Sequence, residues 1–343
     1  MDDLLAQLTN LSMTPGLPGN EGPVRELIKK HWQPFIDEFR VSKLGSLYAY
    51  KRGEEADPPG VLITAHMDTI GLMVAGFLDQ FIRITAVGGV DPRVLPGQLV
   101  HVHGKRKVAG VVIERPRTSD LDLAHLLVDT GINENDLREI IRPGDLVSFA
   151  NQAVTFEKNG VCGAAMDNRA SITTLTHTLA ILSANTHAWD VWAAATVGEE
   201  TTGEGAATAA YEIKPSLAII VDTTFGAGPG NQTHETYPLR GGPTLGWGPT
   251  VHPVLFDTFR EHADRLEISY AIEVMPRRSG TDADIIQVAG KGIPSMVISI
   301  PIRNMHTAVE LVYMADIIQA GRLIAEFIQS SDHNLLDKLH WEA

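Results

Sequence analysis

Histidine, aspartate and glutamate residues stand just after several apolar stretches of this chain, and side chains of these types can bind metal ions. The residues that share this position are His66, Asp68, Glu199, Glu200, Asp222 and His306. A further carboxylate, Asp167, lies in the stretch 163–171, before a helical run. An isolated aspartate there is typical of a helix cap. Turn chemistry alone would also place Gly, Asn and Ser after the apolar stretches, so the repetition of ligand-type residues predicts one shared site.

The predicted ligand set contains two imidazoles and three carboxylates. Such a set suits a pair of divalent transition ions, with zinc, cobalt and manganese as candidates. Each ion would take one histidine and one terminal carboxylate, and Asp167 would bridge the two ions with its two oxygens. A water molecule between two such ions loses a proton near neutral pH and becomes a nucleophile. These residue types therefore favour metal-assisted hydrolysis.

Two short spacings support this interpretation. His66 and Asp68 are two residues apart, so they lie on one side of an extended chain. Asp68 could then accept a hydrogen bond from the far ring nitrogen of His66 and fix its tautomer. Glu199 and Glu200 are neighbours and should point in different directions. One of them could bind a metal while the other moves a proton.

Alternating strand and helix patterns surround the candidate residues. The strand candidates are 61–65, 191–197, 217–221 and 296–300, and the helix candidates include 2–12, 21–38, 172–182, 254–265 and 309–330. This alternation predicts an α/β fold whose largely parallel sheet is covered by helices on both faces. Ligands gather at the carboxyl ends of the strands in such sheets, so the four strand ends and the Asp167 loop can converge. The Gly- and Pro-rich stretch 226–253 is predicted to be a loop.

The pattern changes between residues 71 and 159. Apolar stretches become short and are separated by Gly and Pro, which is typical of a small barrel or sandwich. One helix is predicted within it, at about 134–141. We interpret 71–159 as an inserted β domain, so that residues 1–70 and 160–343 form a discontinuous catalytic domain.

Charge and composition argue against several functions. The 343-residue chain has a net charge of −14, whereas binding to nucleic acid or an anionic membrane needs a basic face. The N-terminus lacks the basic start and apolar block of a signal peptide, and no apolar run approaches the length of a membrane span. These features predict a cytoplasmic protein with neither nucleic acid nor membrane as a partner.

Other residues with reactive side chains are better explained by packing or exposure. Cys162 is the only cysteine, so no disulfide can form within the chain. No partner histidine is recognisable for a nucleophilic Cys162, and a small buried residue is the simpler interpretation. His101 and His103 have no carboxylate near them in sequence, and His234 and His252 lie in the Gly- and Pro-rich stretch.

The motifs around the candidate residues resemble, in order and spacing, those of the tetrahedral (TET-type) aminopeptidases. The stretches that carry the resemblance are 65–71, 165–169, 197–200, 221–222 and 301–306. That family includes the glutamyl and deblocking aminopeptidases, and some members carry an endoglucanase label. The resemblance covers nearly the whole chain and is specific as a set. It departs from the family at Thr69, where many members carry an acidic residue, and at Asn304, where many carry an aromatic one.

The resemblance implies roles for individual residues. The matching metal ligands are His66, Asp167, Glu200, Asp222 and His306, with Asp167 as the bridge. Glu199 matches the general base, and Asp68 matches the residue behind His66. The family fold is a three-layer α/β/α phosphopeptidase-like catalytic domain interrupted by a β-barrel dimerisation domain. Members commonly assemble from dimers into dodecameric tetrahedra whose internal active sites are reached by short peptides.

The sequence therefore leads to one hypothesis with several rivals. The hypothesis is a dinuclear metallo-aminopeptidase that acts on short peptides. The nearest rival is another two-metal hydrolase on the same scaffold, such as an N-acyl amino acid deacylase. A glycoside hydrolase would need two carboxylates flanking a sugar and no metal. A non-catalytic metal-stabilised assembly would have no use for the spare carboxylate of Glu199.

Overall fold

A computed structural model describes residues 2–116, 120–150, 152–229 and 235–341. The helices are α1 Asp2–Ser12, α2 Gly22–Trp32, α3 Glu134–Ile140, α4 Met166–Ser183, α5 Glu204–Ile213, α6 Pro253–Arg265, α7 Ala283–Ile286, α8 Met314–Ser330 and α9 His333–Leu336. The strands are β1 Glu38–Val41, β2 Leu47–Lys51, β3 Gly60–His66, β4 Gly71–Leu78, β5 Phe81–Val87, β6 Leu99–His103, β7 Lys107–Glu114, β8 Leu126–Asp129, β9 Leu146–Phe149, β10 Val154–Phe156, β11 Gly160–Gly163, β12 Asp190–Thr196, β13 Leu217–Phe225, β14 Thr244–Trp247, β15 Ala271–Val274, β16 Ser295–Ile302 and β17 Glu310–Tyr313.

An eight-stranded sheet with the order β1-β2-β12-β3-β13-β16-β14-β15 forms the centre of the molecule. Its four middle strands, β12, β3, β13 and β16, are parallel to one another. The apolar runs 61–65 and 217–221 are buried along their whole length, as are the residues of β16. Strands of this composition need cover on both faces, so the sheet requires a helical layer on each side.

The helices provide that cover. α4 packs against α1, α2 and α8 and also contacts β3 and β13, whereas α5 packs against α7 and β12. The apolar side chains of these helices and of the sheet form one large core that includes Trp32, Leu175 and Phe327. The predicted three-layer α/β/α fold is therefore confirmed.

A closed barrel with the order β4-β5-β8-β7-β6-β9 lies between β3 and β11 in the chain. Its interior is a separate core of residues such as Leu72, Val100 and Val128. All of its strand pairs are antiparallel. Closure leaves no unpaired strand edge. The predicted barrel is thus present, with its strands between Gly71 and Phe149.

A small antiparallel sheet, β10-β11-β17, was not predicted. Its strand β10 had been grouped with the barrel strands but pairs with β11 instead. The residues 310–313 had been predicted as the start of a helix but form β17, because Val312 and Tyr313 favour an extended chain and pair with β11. The sheet leads from Gly163 into the loop that carries Asp167.

Two further predictions about elements were wrong. The segment 226–253 is not all loop, because it contains β14, which pairs with β15 and β16. Its Gly and Pro neighbours concealed this short strand. The helix predicted for 21–38 ends at Trp32, two residues before Pro34, which disfavours a helical conformation in the residue before it. Among the described residues, no helix is long and apolar enough to cross a bilayer.

Candidate metal centre

The candidate residues meet at the carboxyl ends of the parallel strands. His66 is the last residue of β3 and lies opposite Thr196 on β12, and Asp222 on β13 lies opposite Ser299 on β16. The turn after β12 carries Glu199 and Glu200, and the turn after β16 carries His306. The parallel register therefore brings together residues that are far apart in sequence.

The candidate ligands form two groups that share Asp167. One group contains His66, Asp167 and Asp222, and the other contains Asp167, Glu200 and His306. Within each group the ligand atoms lie within 4.8 Å of one another. Asp167 Oδ1 is 3.3 Å from His66 Nε2, and Asp167 Oδ2 is 3.4 Å from His306 Nε2. The two oxygens of one carboxylate thus face two different imidazoles.

The start of α4 has an irregular backbone that carries Asp167 into the site. Ala165 has a positive φ of 61°, and Asp167 has a ψ of 101°, which is not helical. The peptide bond between Asp167 and Asn168 is cis. The Asn168 side-chain amide donates to the carbonyl oxygen of Val221 at 3.2 Å and to Asp222 Oδ1 at 2.9 Å. Asn168 therefore links the Asp167 loop to the end of β13.

The tautomer of His66 follows from its hydrogen bond. Its Nδ1 lies 3.1 Å from the main-chain oxygen of Asp68. A carbonyl oxygen can only accept, so Nδ1 carries a proton toward Asp68, and Nε2 is the ring atom that faces the carboxylates. The main chain of Asp68, and not its carboxylate as the spacing had suggested, accepts this bond. The nearest carboxylate oxygen of Asp68 is 3.7 Å from Nδ1.

The Asp68 carboxylate instead holds the turn after β12. Its Oδ1 and Oδ2 accept from the backbone N–H groups of Glu199 and Glu200, each at 3.1 Å. Asp68 is fully buried, so these two bonds satisfy a group that water cannot reach. The residue therefore fixes the backbone of both glutamates from behind the site.

Glu199 and Glu200 occupy different surroundings. Glu200 belongs to the second ligand group, whereas Glu199 belongs to neither group and has Oε2 3.8 Å from His66 Nε2. Burial raises the pKa of Glu199 to about 9, and Asp222 adds to the shift while His66 opposes it. Burial, with Asp167 next, raises the pKa of Glu200 well above its usual range. Glu199 thus lies beside the candidate ligands without belonging to either group.

The charges and the burial of these side chains favour the binding of cations. Burial opposes the charge of Asp167, yet the rings of His306 and His66 lower the pKa of its carboxyl. Burial raises the pKa of Asp222. Oε1 of Glu200 is buried without a hydrogen-bond partner. Several buried carboxylates are costly to keep ionised unless cations neutralise them, so the nitrogen and oxygen donors present fit divalent metal ions.

Glu310 is a residue of the site that the sequence analysis missed. It lies on β17 and is almost completely buried. Its Oε2 accepts from the backbone N–H of Asp167 at 3.0 Å, and its Oε1 accepts from the backbone N–H of His306 at 2.7 Å. It therefore joins the loops of two ligands. A signal was available, since Glu310 stands four residues after His306 among apolar residues.

The loop after β5 of the barrel also reaches the site. A β-carbon added at Gly89 would lie 2.9 Å from His306 Nδ1, and one added at Gly88 would lie 3.2 Å from Glu200 Oε2. Gly88 has a φ of 78° as well. Only glycine allows so close an approach of the backbone to these side chains.

A cavity of about 340 Å³ opens beside the two ligand groups. Its wall combines the candidate ligands with Thr224, Phe225, Glu273 and Met305. Thr69 and Asn304, where the chain departs from the resembled family, are not part of this wall. The volume suits a small ligand such as one amino acid residue.

The remaining histidines and the cysteine lie elsewhere, as far as the structure describes them. His101 and His103 are on barrel strand β6, and His103 Nε2 is 2.8 Å from Ser148 Oγ. His252 is buried outside both ligand groups, and His234 lies outside the described residues. The Cys162 thiol donates to the carbonyl oxygen of Val309 at 3.4 Å.

Comparison with known proteins gives the family. The family model of the M42 glutamyl aminopeptidases matches residues 45–323. The lysyl aminopeptidase of Pyrococcus furiosus is 30% identical over 336 residues, which cover 93% of this chain and 96% of that protein.

Solved structures agree with the family match. Aminopeptidase APDkam598 from the archaeon Desulfurococcus kamchatkensis has a TM-score of 0.93 at 28% identity, over 98% of both chains. The TET1 peptidase of Pyrococcus horikoshii, which can assemble into a tetrahedron or a large octahedral shell, has a TM-score of 0.84 at 25% identity. The alignment with TET1 covers 96% of this chain and 100% of that one. The chain therefore belongs to the M42 glutamyl aminopeptidase family, and it is a metal-dependent aminopeptidase.

Proposed function

We propose that the protein releases N-terminal amino acids from short peptides with the help of two divalent metal ions. The observation that carries the proposal is the position of Asp167, whose two oxygens lie 3.3 Å from His66 Nε2 and 3.4 Å from His306 Nε2. A bridging carboxylate between two His-containing groups suits a dinuclear centre. The mixture of imidazole and carboxylate ligands favours zinc, with cobalt or manganese as alternatives.

The ligand assignment follows the two groups. His66 and Asp222 would hold one ion, Glu200 and His306 would hold the other, and Asp167 belongs to both groups and would bridge them. When bound, the two ions would polarise the scissile carbonyl and lower the pKa of a water molecule between them. His66 is preset for this role because its Nδ1 proton is held by the Asp68 carbonyl.

Glu199 moves the proton. It takes a proton from the attacking water and delivers it to the amine that leaves the peptide. It suits this role because it lies beside the ligands without belonging to either group. Asp68 keeps it in place through the backbone of the turn. Hydrolysis proceeds without a covalent intermediate on the protein.

We also propose how the protein is assembled and where it acts. Residues 71–159 serve as a dimerisation domain, and the dimers build a closed particle, most simply a dodecameric tetrahedron. The assembly of the Pyrococcus horikoshii relative supports this proposal. Such a particle admits short peptides and excludes folded proteins. The single cysteine suits the reducing cytoplasm, and light scattering of the purified protein would give a mass that is a multiple of the dimer.

The test of the activity compares substrates that have a free N-terminal amine with one whose amine is acetylated. The protein is stripped of metal by chelation and then assayed with leucyl-, glutamyl- and lysyl-p-nitroanilide and with N-acetyl-leucyl-p-nitroanilide, before and after addition of zinc or cobalt. We expect metal-dependent release of p-nitroaniline from the free-amine substrates only. Cleavage of the blocked substrate would identify a deacylase or an endopeptidase instead. No cleavage with either metal would refute the proposed activity.

A further inference from the structure

The cavity beside the metal ligands contains a carboxylate that belongs to neither ligand group. This is Glu273 on the edge strand β15. Its side chain crosses the face of the sheet, so that Oε1 accepts from the Thr224 hydroxyl and Oε2 accepts from the Thr244 hydroxyl, both at 2.6 Å. A carboxylate has about four acceptor positions. The two threonines, with Ser299 beside them, hold Glu273 in place, and the carboxylate keeps acceptor capacity for a ligand.

The position of Glu273 relative to the ligands follows from strand geometry. Asp222 and Thr224 are two residues apart on β13, so their side chains emerge on the same face of the sheet at a spacing of ~7 Å. Glu273 is hydrogen-bonded to Thr224 and lines the same cavity as Asp222. The Glu273 carboxylate therefore lies next to the ligand groups, on the same wall of the cavity. A side chain attached to a residue held at the ligands could reach it.

Glu273 lacks a cationic partner within the cavity. The hydroxyls around it, those of Thr224, Thr244 and Ser299, are neutral, and burial raises the pKa of its carboxyl. In the described part of the chain, the cavity wall contains no lysine or arginine. Arg277 and Arg278 follow β15 but are exposed and do not line the wall. A partly buried carboxylate of this kind gains most from a cation that arrives with the ligand.

We propose that Glu273 selects substrates whose N-terminal residue is lysine or arginine. The inference rests on the proposed aminopeptidase function and names the substrate class of that site. The aliphatic stem of such a residue would pack along Phe225 and Met305. Its ammonium or guanidinium group would donate to the open positions of the Glu273 carboxylate. Thr224 and Thr244 keep that carboxylate aimed into the cavity.

The first experiment measures kcat/KM of the metal-loaded enzyme with lysyl-, arginyl-, norleucyl- and glutamyl-p-nitroanilide. Norleucine has the stem of lysine without its charge, so the comparison isolates the ammonium group. We expect the two basic substrates to exceed norleucyl-p-nitroanilide at least ~10-fold. In Glu273→Gln this advantage should disappear, because kcat/KM for the basic substrates should fall at least ~30-fold. A loss of this size is typical when one partner of a desolvated charge pair is removed. The norleucyl value should stay within ~2-fold.

The control variant is Glu261→Gln, which removes one negative charge from an exposed position on α6. It should leave all four values unchanged. A wild-type preference for norleucyl or glutamyl substrates would overturn the proposal. An equal loss on all four substrates in Glu273→Gln would overturn it too, because a selective role requires the basic substrates to lose more. If the variant does not fold, the proposal is tested by the ratio of kcat/KM for the lysyl and norleucyl substrates in the wild type.

A binding measurement separates this inference from the proposed function. Calorimetry of the metal-loaded protein with free lysine and free norleucine needs no turnover. Tighter binding of lysine, with the difference lost in Glu273→Gln, would support the inference even if no p-nitroanilide were cleaved and the proposed activity failed. Cleavage of free-amine substrates combined with equal binding of the two amino acids would leave the activity standing and refute the role of Glu273.

Discussion

At the scale of single residues, the site divides its carboxylates by task. Asp167 faces both histidines, whereas Glu199 lies beside the ligands but outside both groups. Asp68 and Glu310 do not line the cavity and belong to neither ligand group, and their carboxylates accept from backbone N–H groups. A carboxylate in this site would therefore bridge two metal ions, carry a proton or position the backbone, according to which groups lie within hydrogen-bond reach.

The role of Glu199 can be tested by Glu199→Gln. Because glutamine cannot accept the proton, we expect kcat to fall at least ~10²-fold, the scale of general-base catalysis. Metal content, measured by mass spectrometry of the metals, should stay at the wild-type value. Asp167→Ala serves as the contrast, since it should lose metal. Near-normal turnover in metal-loaded Glu199→Gln would contradict the assignment.

The positioning role of Glu310 predicts a different pattern. Glu310→Gln leaves one acceptor oxygen for two backbone N–H donors, those of Asp167 and His306. We expect the affinity for metal to fall ~10–100-fold, as for other residues that orient metal ligands. At saturating metal, kcat should change much less. Titration of the stripped protein with zinc measures both quantities, and an unchanged metal affinity would count against this role.

At the scale of elements, the site depends on how loops leave the strands and helices. The candidate ligands outside the strands are Asp167 after β11, Glu200 after β12 and His306 after β16. A loop of the barrel approaches Glu200 and His306 at Gly88 and Gly89. α8 contributes from further away, since Asp316 in its first turn accepts from the backbone N–H groups of Arg240 and Gly242. The long segment before α6 is thereby anchored to that helix.

The barrel loop can be tested by Gly89→Ala. The added β-carbon would lie 2.9 Å from His306 Nδ1, closer than real β-carbons approach other atoms. The His306 ring or the loop must then move, and either change alters the position of a candidate ligand. We expect weaker binding of the second metal ion and a lower kcat/KM at limiting zinc, with little change in thermal stability. Gly22→Ala is the comparison, since its backbone is not left-handed and the one atom within 4 Å of its added carbon is Arg25 Nη2, at 3.8 Å. Equal behaviour of the two variants would refute the contact.

Asp316, which anchors the segment before α6 to α8, makes the stability of the fold depend on pH. Burial raises the pKa of Asp316 to about 6, above the value of about 3.9 expected in the unfolded chain. The folded state therefore binds more protons between these values, so this group makes stability fall as pH rises through that window. Asp316→Asn cannot titrate. Urea unfolding should show the variant gaining up to about 3 kcal/mol on the wild type between about pH 4 and pH 7. A difference that is constant with pH would contradict this.

At the scale of the whole molecule, the metal centre joins distant parts of the chain. Its ligands come from residues 66 to 306, and the barrel, inserted between β3 and β11, touches two of them. Ions bound only by the folded state add to its stability in proportion to the logarithm of their concentration. The two ions of the proposed centre should therefore stabilise the complete fold and not one loop.

This linkage predicts the effect of a chelator. Treatment with EDTA should lower the Tm of the wild type, and added zinc should restore it. An ion at a hundred times its Kd contributes about 2.7 kcal/mol. Differential scanning fluorimetry measures the shift. Asp167→Ala should show little response to EDTA because it lacks the bridge. A wild-type Tm independent of EDTA and zinc would refute the linkage.

The sequence by itself determined the α/β class and an inserted unit of short strands, because strand and helix periodicity and turn residues are local properties. The pattern left barrel and sandwich open, and the closed barrel became visible only in the tertiary structure. The sequence also predicted His66, Asp167, Asp222, His306 and one of Glu199 and Glu200 as ligands, because residues of these types recur at strand ends and in the Asp167 loop, and the family resemblance then implied Glu200. Tertiary structure alone decided that Asp68 holds the glutamate turn, that Glu310 joins two ligand loops and that Glu273 enters the cavity from the edge strand. Each of these depends on a contact between residues distant in sequence, which no local pattern records.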